Sequence, residues 1–270
     1  MPGISFQEVS DQMQFVDDPD VVERAKNDPA LALALDLSRP RNWRGSGLKP
    51  HQILAVAKDN AIPVAWVPPM KILRTLALTA PEERMAILMS VQDEVLAHCR
   101  SVLRECSDDW IVNERTLITR AFDAFESGQH EAAMALAVIV GERLALWASE
   151  PRVLAFGSSE ERDVWERKVK KGSKYAKAQR ELALVSSTET LSRLDVMRHA
   201  LIAPIPHFFF PFYGEEGETI PETVSRHAAV HQPDVQHFSV ENAILALMLC
   251  VSILRDEQSW CIEVRTEDAL

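Results

Sequence analysis

The chain has little glycine, hardly any tyrosine and fewer basic than acidic residues: of 270 residues, 9 are glycine and 2 tyrosine, and 29 Lys and Arg face 40 Asp and Glu. Each shortage excludes something. There is no P-loop, no G-x-G-x-x-G dinucleotide fingerprint and no G-x-S-x-G nucleophile elbow, so nucleotide-driven chemistry and serine hydrolysis lack support and no cofactor is expected. A net charge of −11 argues against broad binding to nucleic acid or anionic membrane, and leaves room for a local basic site. The four cysteines, Cys99, Cys106, Cys250 and Cys261, contain no C-x-x-C pair, which argues against zinc ribbons and predicts buried, reduced thiols. The opening stretch "MPGISFQEVSDQMQF" lacks a basic segment followed by an apolar run, so no signal peptide is expected. The apolar run from Asn242 to Leu254 is 13 residues, too short to span a bilayer. The expectation is a cytoplasmic protein with no membrane partner.

Alanine and leucine are abundant, a helical bias. The apolar spacing predicts an all-α protein, a multi-helix bundle of about nine or ten helices in two packed halves. Residues 1–48 read as an irregular or short-helix segment, 49–150 as one bundle half and 151–270 as the other. "HQILAVAKDNA" reads as a helix, and the proline-broken "IPVAWVPP" as a short extended piece. Thr79 to Cys106 reads as one long helix. A Thr79–Glu82 capping box opens it, and Ile87, Leu88, Val91, Val95, Cys99 and Val102 recur at three- and four-residue spacing. Two further helices follow with Gly128 as the stop between them, and the short connections predict antiparallel packing. Capping boxes at Ser158–Glu161 and Ser186–Glu189 open helices of the second half. Ser239 caps the last helix, which is apolar on nearly every side from Ala243 to Leu254 and therefore predicted to be central.

The segment "SRHAAVHQPDVQHFS", Ser225 to Ser239, holds three of the eight histidines. His227, His231 and His237 have the ligand spacing of the metzincin pattern H-E-x-x-H-x-x-G-x-x-H, in which two imidazoles one helical turn apart share a zinc ion. Here the glutamate that would activate the zinc-bound water is Ala228, and the glycine that turns the chain is Asp234. With no general base in place, protease chemistry is rejected, and no metal is expected.

Arg226 and His231 form an R-x4-H pair. Across the spacings considered, composition alone predicts about two such matches; Arg44 with His51 and Arg193 with His199 are the others in this chain. The context separates the third. "RHAAVH", a short turn, then Asn-Ala opening the apolar helix "FSVENAILALMLCVSIL" resembles proteins of the HEPN superfamily over about the last 60 residues. Many members have glycine after the motif histidine, where this chain has Gln232. The resemblance implies a dimerising helical bundle that cuts RNA without metal, with Arg226, His227 and His231 in the cleft. It also implies the setting of a toxin or abortive-infection phage-defence factor, with RNA, a second copy of the chain and a protein partner or antitoxin as partners. The chemistry suits the residues: an imidazole can take or give a proton, and a guanidinium can brace phosphoryl oxygens. On a continuous helix five residues rotate by about 140°, so Arg226 and His231 are not expected on one face unless the helix ends near His231; His227 and His231 are.

The alternative is a non-catalytic helical interaction protein on the same scaffold, in which Arg226 pairs with Glu222, one turn back, and the histidines fill a polar seam. Lys168, Lys170, Lys171, Lys174 and Lys177 lie in the one dense basic run, Arg167 to Arg180, a candidate RNA-binding face. "HFFFPFY", His207 to Tyr213, reads as a core plug or protein interface, and Glu94 with His98 as a surface pair.

Overall fold

A computed structural model describes residues 27, 40–149, 193–210, 212, 219–221, 223–231 and 233–267, with side chains left undescribed at 146–149, 193–196 and 260–267. It is an all-α multi-helix bundle; no strand occurs among the described residues. The helices are α1 (Pro50–Asn60), α2 (Met70–Leu78), α3 (Pro81–Ser90), α4 (Gln92–Arg104), α5 (Val112–Glu126), α6 (His130–Ser149), α7 (Arg193–Ile202), α8 (Ile205–Phe208), α9 (Arg226–His231) and α10 (Val240–Glu267), with 3-10 turns at Arg41–Trp43 and Asp109–Ile111. The junction of the two predicted halves, the capping boxes at Ser158 and Ser186, and Lys168, Lys170, Lys171, Lys174 and Lys177 all lie outside the described residues.

α10 is the axis of the bundle. It packs on α6, α4 and α5, and α5 in turn packs on α6. Every residue from Asn242 to Ser259 is buried. Ser239 caps the helix as expected, its hydroxyl accepting from the Asn242 N–H at 3.2 Å. Cys250 lies against α6 and donates to the Ala137 carbonyl. Gly141 faces it across the seam: a Cβ there would sit 3.5 Å from the Cys250 sulfur, an ordinary van der Waals contact. Burial pushes the Cys106 and Cys250 thiols up to about 12 and raises the Cys99 thiol as well, so these three cysteines are inert packing groups.

The polar stretch Arg255 to Ser259 is buried too, which the sequence pattern did not suggest. Arg255 and Gln258 find partners distant in sequence. The Arg255 guanidinium stacks over the Trp66 ring at 4.3 Å and meets Glu105. Gln258 accepts from the Ser107 and Asp108 N–H groups.

Three local expectations are corrected. The long helix from Thr79 breaks at Val91, whose φ of −122° and ψ of 22° separate α3 from α4. The Ser90 hydroxyl there donates to the Ile87 carbonyl and competes with the helical ladder. Thr79 does not cap: it ends α2, donating back to the Thr75 carbonyl, while Ala80 precedes α3. "IPVAWVPP", residues 62–69, forms no regular strand but an irregular segment, buried at 62–68, whose backbone polar groups need partners. Asn42 and Trp43 donate to the Val64 carbonyl, Asn42 also to Pro68, and Ser252 of α10 to Ala65. The buried Arg84 collects the carbonyls of Leu76 and Thr79 at the end of α2 and of Ala55 in α1, tying those helix ends together.

Candidate active site

α9 is short because its two ends are fixed by separate features. At the start, the Ser225 hydroxyl accepts from the Ala228 N–H at 3.3 Å and its carbonyl accepts from Ala229, a helix cap. At the end, Pro233 follows His231 by two residues and disfavours helical continuation.

Ser225 is held by His237. Nε2 of His237 lies 3.2 Å from the Ser225 nitrogen and 3.0 Å from its carbonyl, while Nδ1 lies 3.2 Å from the Pro221 carbonyl. A neutral ring with its proton on Nδ1 donates to Pro221 and accepts from Ser225. His237 is only 1% exposed. Asp234 turns it inward: its carboxylate accepts from the Gln236 N–H and its carbonyl from the His237 N–H. Asn242, in the first turn of α10, donates to the His237 carbonyl at 2.9 Å. A chain of hydrogen bonds therefore runs from the start of α10 through His237 to the cap of α9. The metzincin spacing does not assemble a three-histidine cluster, because both ring nitrogens of His237 face backbone. Among the described residues no group of three or more His, Cys, Asp or Glu is arranged to hold a metal.

Arg226, His227 and His231 do come together. The Arg226 Nη1 lies 3.2 Å from Nε2 of His231, and the His227 and His231 rings are 5.8 Å apart between centroids. The condition set by the helical rotation is met: the helix ends at His231, and there the Arg226 guanidinium reaches its ring. A guanidinium only donates, so Nε2 of His231 accepts and the neutral ring carries its proton on Nδ1. His227 has its affinity for protons lowered, first by burial and then by the Arg226 and His231 charges, with Glu142 acting the other way.

Arg226 is braced by Glu142 of α6, Nε to carboxylate at 3.2 Å, with the two side chains 24% and 34% exposed. Glu222, the partner expected from sequence, lies outside the described residues. The motif gives no hint of Glu142, 84 residues upstream. One signal was present. α6 is apolar along most of its length, and Glu142–Arg143 interrupts it; charges on such a helix need partners. Each has one: Glu142 meets Arg226, and Arg143 meets the buried Glu114 at 3.0 Å. A small apolar void of about 10 Å³ beside Arg226, lined by Gly141, Phe208, Phe209, Leu249 and Cys250 among others, is too small for more than one water.

Of the remaining candidates, Phe208, Phe209 and Phe212 are buried, as a core plug requires, while Phe210 is 51% exposed. His98 is half-buried rather than at the surface: its ring lies 3.2 Å from the Trp66 carbonyl, while the Glu94 charge still acts on it. Arg44 lies on the 40–49 segment and His51 in the first turn of α1.

Comparisons of the chain with protein-family models, curated proteins and solved structures returned no match.

Proposed function

We propose that the chain is a HEPN-like endoribonuclease that needs no metal, with Arg226 and His231 at its centre. The observation that carries the reading is the 3.2 Å contact between the Arg226 Nη1 and Nε2 of His231 at the end of a short, capped helix. It presents a phosphate-bracing cation and an imidazole lone pair side by side, the two functions that 2′-hydroxyl attack requires. In that reaction the 2′-oxygen bonds to phosphorus and the bond from phosphorus to the 5′-oxygen breaks. The Arg226 Nη1 shifts from Nε2 of His231 to a non-bridging oxygen, the freed Nε2 lone pair takes the 2′-OH proton, and the leaving 5′-oxygen takes a proton from the site of a second copy. Arg226 draws the charge developing on the non-bridging oxygens.

A homodimer fits the surroundings. Ile139, Phe210 and Val230 are 61%, 51% and 47% exposed. Ile139 is one turn from Glu142 on α6, Val230 is one turn from Arg226 on α9, and the Phe210 carbonyl lies 3.5 Å from the Ser225 hydroxyl. Exposed apolar residues grouped around a site favour association. The lysines at 168, 170, 171, 174 and 177 would supply phosphate contacts on an otherwise acidic chain. A toxin or phage-defence role, with an antitoxin or other protein as partner, is the biological setting that goes with this chemistry.

The same apolar rim, together with the Glu142 carboxylate that already neutralises Arg226, favours a second reading: a non-catalytic interaction or dimerisation protein that keeps the scaffold. Purified protein incubated with total RNA in EDTA separates the two. The nuclease reading expects fragments with 2′,3′-cyclic phosphate ends; intact RNA with full-length, folded protein supports the interaction reading.

A further inference from the structure

We propose that Glu142 is a positioning residue: it holds Arg226 by Nε so that Nη1 faces Nε2 of His231, and thereby sets the His231 tautomer with its proton on Nδ1. The role in catalysis rests on the ribonuclease reading; the role in setting the tautomer does not.

An arginine side chain has four rotatable bonds before the guanidinium, and ordering them costs up to about 2 kcal/mol of rotamer entropy. Among the described residues Arg226 makes two side-chain hydrogen bonds, to Glu142 and to His231. His231 is exposed at the last position of a six-residue helix and is a poor anchor. Glu142 is a better one. It projects from α6, a 20-residue helix packed on both α9 and α10, and its chain neighbour Gly141 is buried against Cys250. The position of the carboxylate is thus set by the core, and the guanidinium inherits it.

The fork geometry does the rest. When Nε points to the Glu142 carboxylate, the Nη1 edge is turned to the end of α9, where Nε2 of His231 lies. A donor there excludes the tautomer with hydrogen on Nε2. The ring is therefore held, before substrate arrives, in the tautomer whose Nε2 accepts, and the lone pair becomes free for the 2′-OH proton when the guanidinium turns to the phosphate. His227 provides an independent report, because the Glu142 charge raises its affinity for protons while Arg226 and His231 lower it.

The test uses the full chain and ring-¹⁵N NMR at a pH where the histidines are neutral, comparing wild type, Glu142→Ala and Glu142→Gln. Glutamine keeps an oxygen that accepts from Nε and loses the charge. The wild type is expected to show an unprotonated Nε2 at His231. Glu142→Ala is expected to show a mixture of tautomers, and Glu142→Gln to retain the wild-type tautomer while His227 titrates at lower pH. In the activity arm, Glu142→Ala loses about 100-fold in kcat, as a displaced catalytic group does, and Glu142→Gln recovers most of it. An identical His231 tautomer in all three proteins overturns the inference, whatever happens to cleavage. The expected tautomer pattern in a wild-type protein that cuts no RNA keeps Glu142 as the positioning residue and removes the ribonuclease reading.

Discussion

His237 shows how a histidine at metal-ligand spacing can serve the backbone instead. It is buried, its ring faces Pro221 and Ser225, and its carbonyl takes the Asn242 amide. His237→Ala leaves buried polar groups without partners and is expected to cost about 1–3 kcal/mol, read as a lower urea midpoint. An unchanged midpoint would remove His237 from the account of how α9 is held. His227 is tuned rather than used up. With its folded-state affinity for protons lowered by burial, by Arg226 and by His231, it is neutral at a pH where a free histidine is already partly charged. Arg226→Ala removes one of those causes, so His227 is expected to titrate at higher pH in that variant, a shift that histidine NMR reads directly.

At the level of elements, the all-helical class, the stop at Gly128, the Ser239 cap and the buried α10 were legible because each rests on local chemistry. A positive φ of 78° at Gly128, a hydroxyl at a helix start and apolar residues on every side of a helix are visible in a few consecutive residues. The break at Val91 and the irregular course of 61–68 were not legible. The loop depends on partners distant in sequence, Asn42, Trp43 and Ser252, that satisfy its backbone, and the apolar spacing runs on through Val91 past the local Ser90–Ile87 hydrogen bond that marks the break. The candidate site divides the same way. Arg226, His227 and His231 share one short helix and could be read together, whereas Glu142 belongs to α6 and meets Arg226 only after the bundle has closed. Gln258 makes the same point for the end of α10. Its side-chain oxygen accepts two N–H groups at the turn before α5, so Gln258→Ala is expected to destabilise by about 1–3 kcal/mol, whereas Gln258→Glu keeps the acceptor and costs less; equal losses in the two would deny that hydrogen bonding is its role.

For the whole molecule, His98, His207 and His227 all have their affinity for protons lowered, in each case first by burial. A histidine whose folded value lies below its unfolded value of 6.5 leaves stability intact above that pH and removes it as pH falls through the folded value. The urea midpoint is therefore expected to hold from pH 8 to about 6.5 and to drop as pH falls below that; a midpoint that rises below about 6.5 would contradict the assignment. The apolar rim of Ile139, Phe210 and Val230 predicts a dimer by light scattering at tens of micromolar, a concentration that populates micromolar interfaces, and Val230→Glu is expected to yield monomer. No described helix is long and apolar enough to cross a membrane. The central claim is that Arg226 and His231 act on RNA together, and one measurement bears on it most directly: single-turnover cleavage in EDTA by wild type, His231→Ala, Arg226→Ala and, as a control at an exposed histidine of another R-x-H pair, His51→Ala. Positioned acid–base groups contribute about 10²–10⁴-fold, so His231→Ala and Arg226→Ala should each lose at least about 100-fold with their folding intact while His51→Ala keeps full activity. Full cleavage by a folded His231→Ala protein would contradict the account.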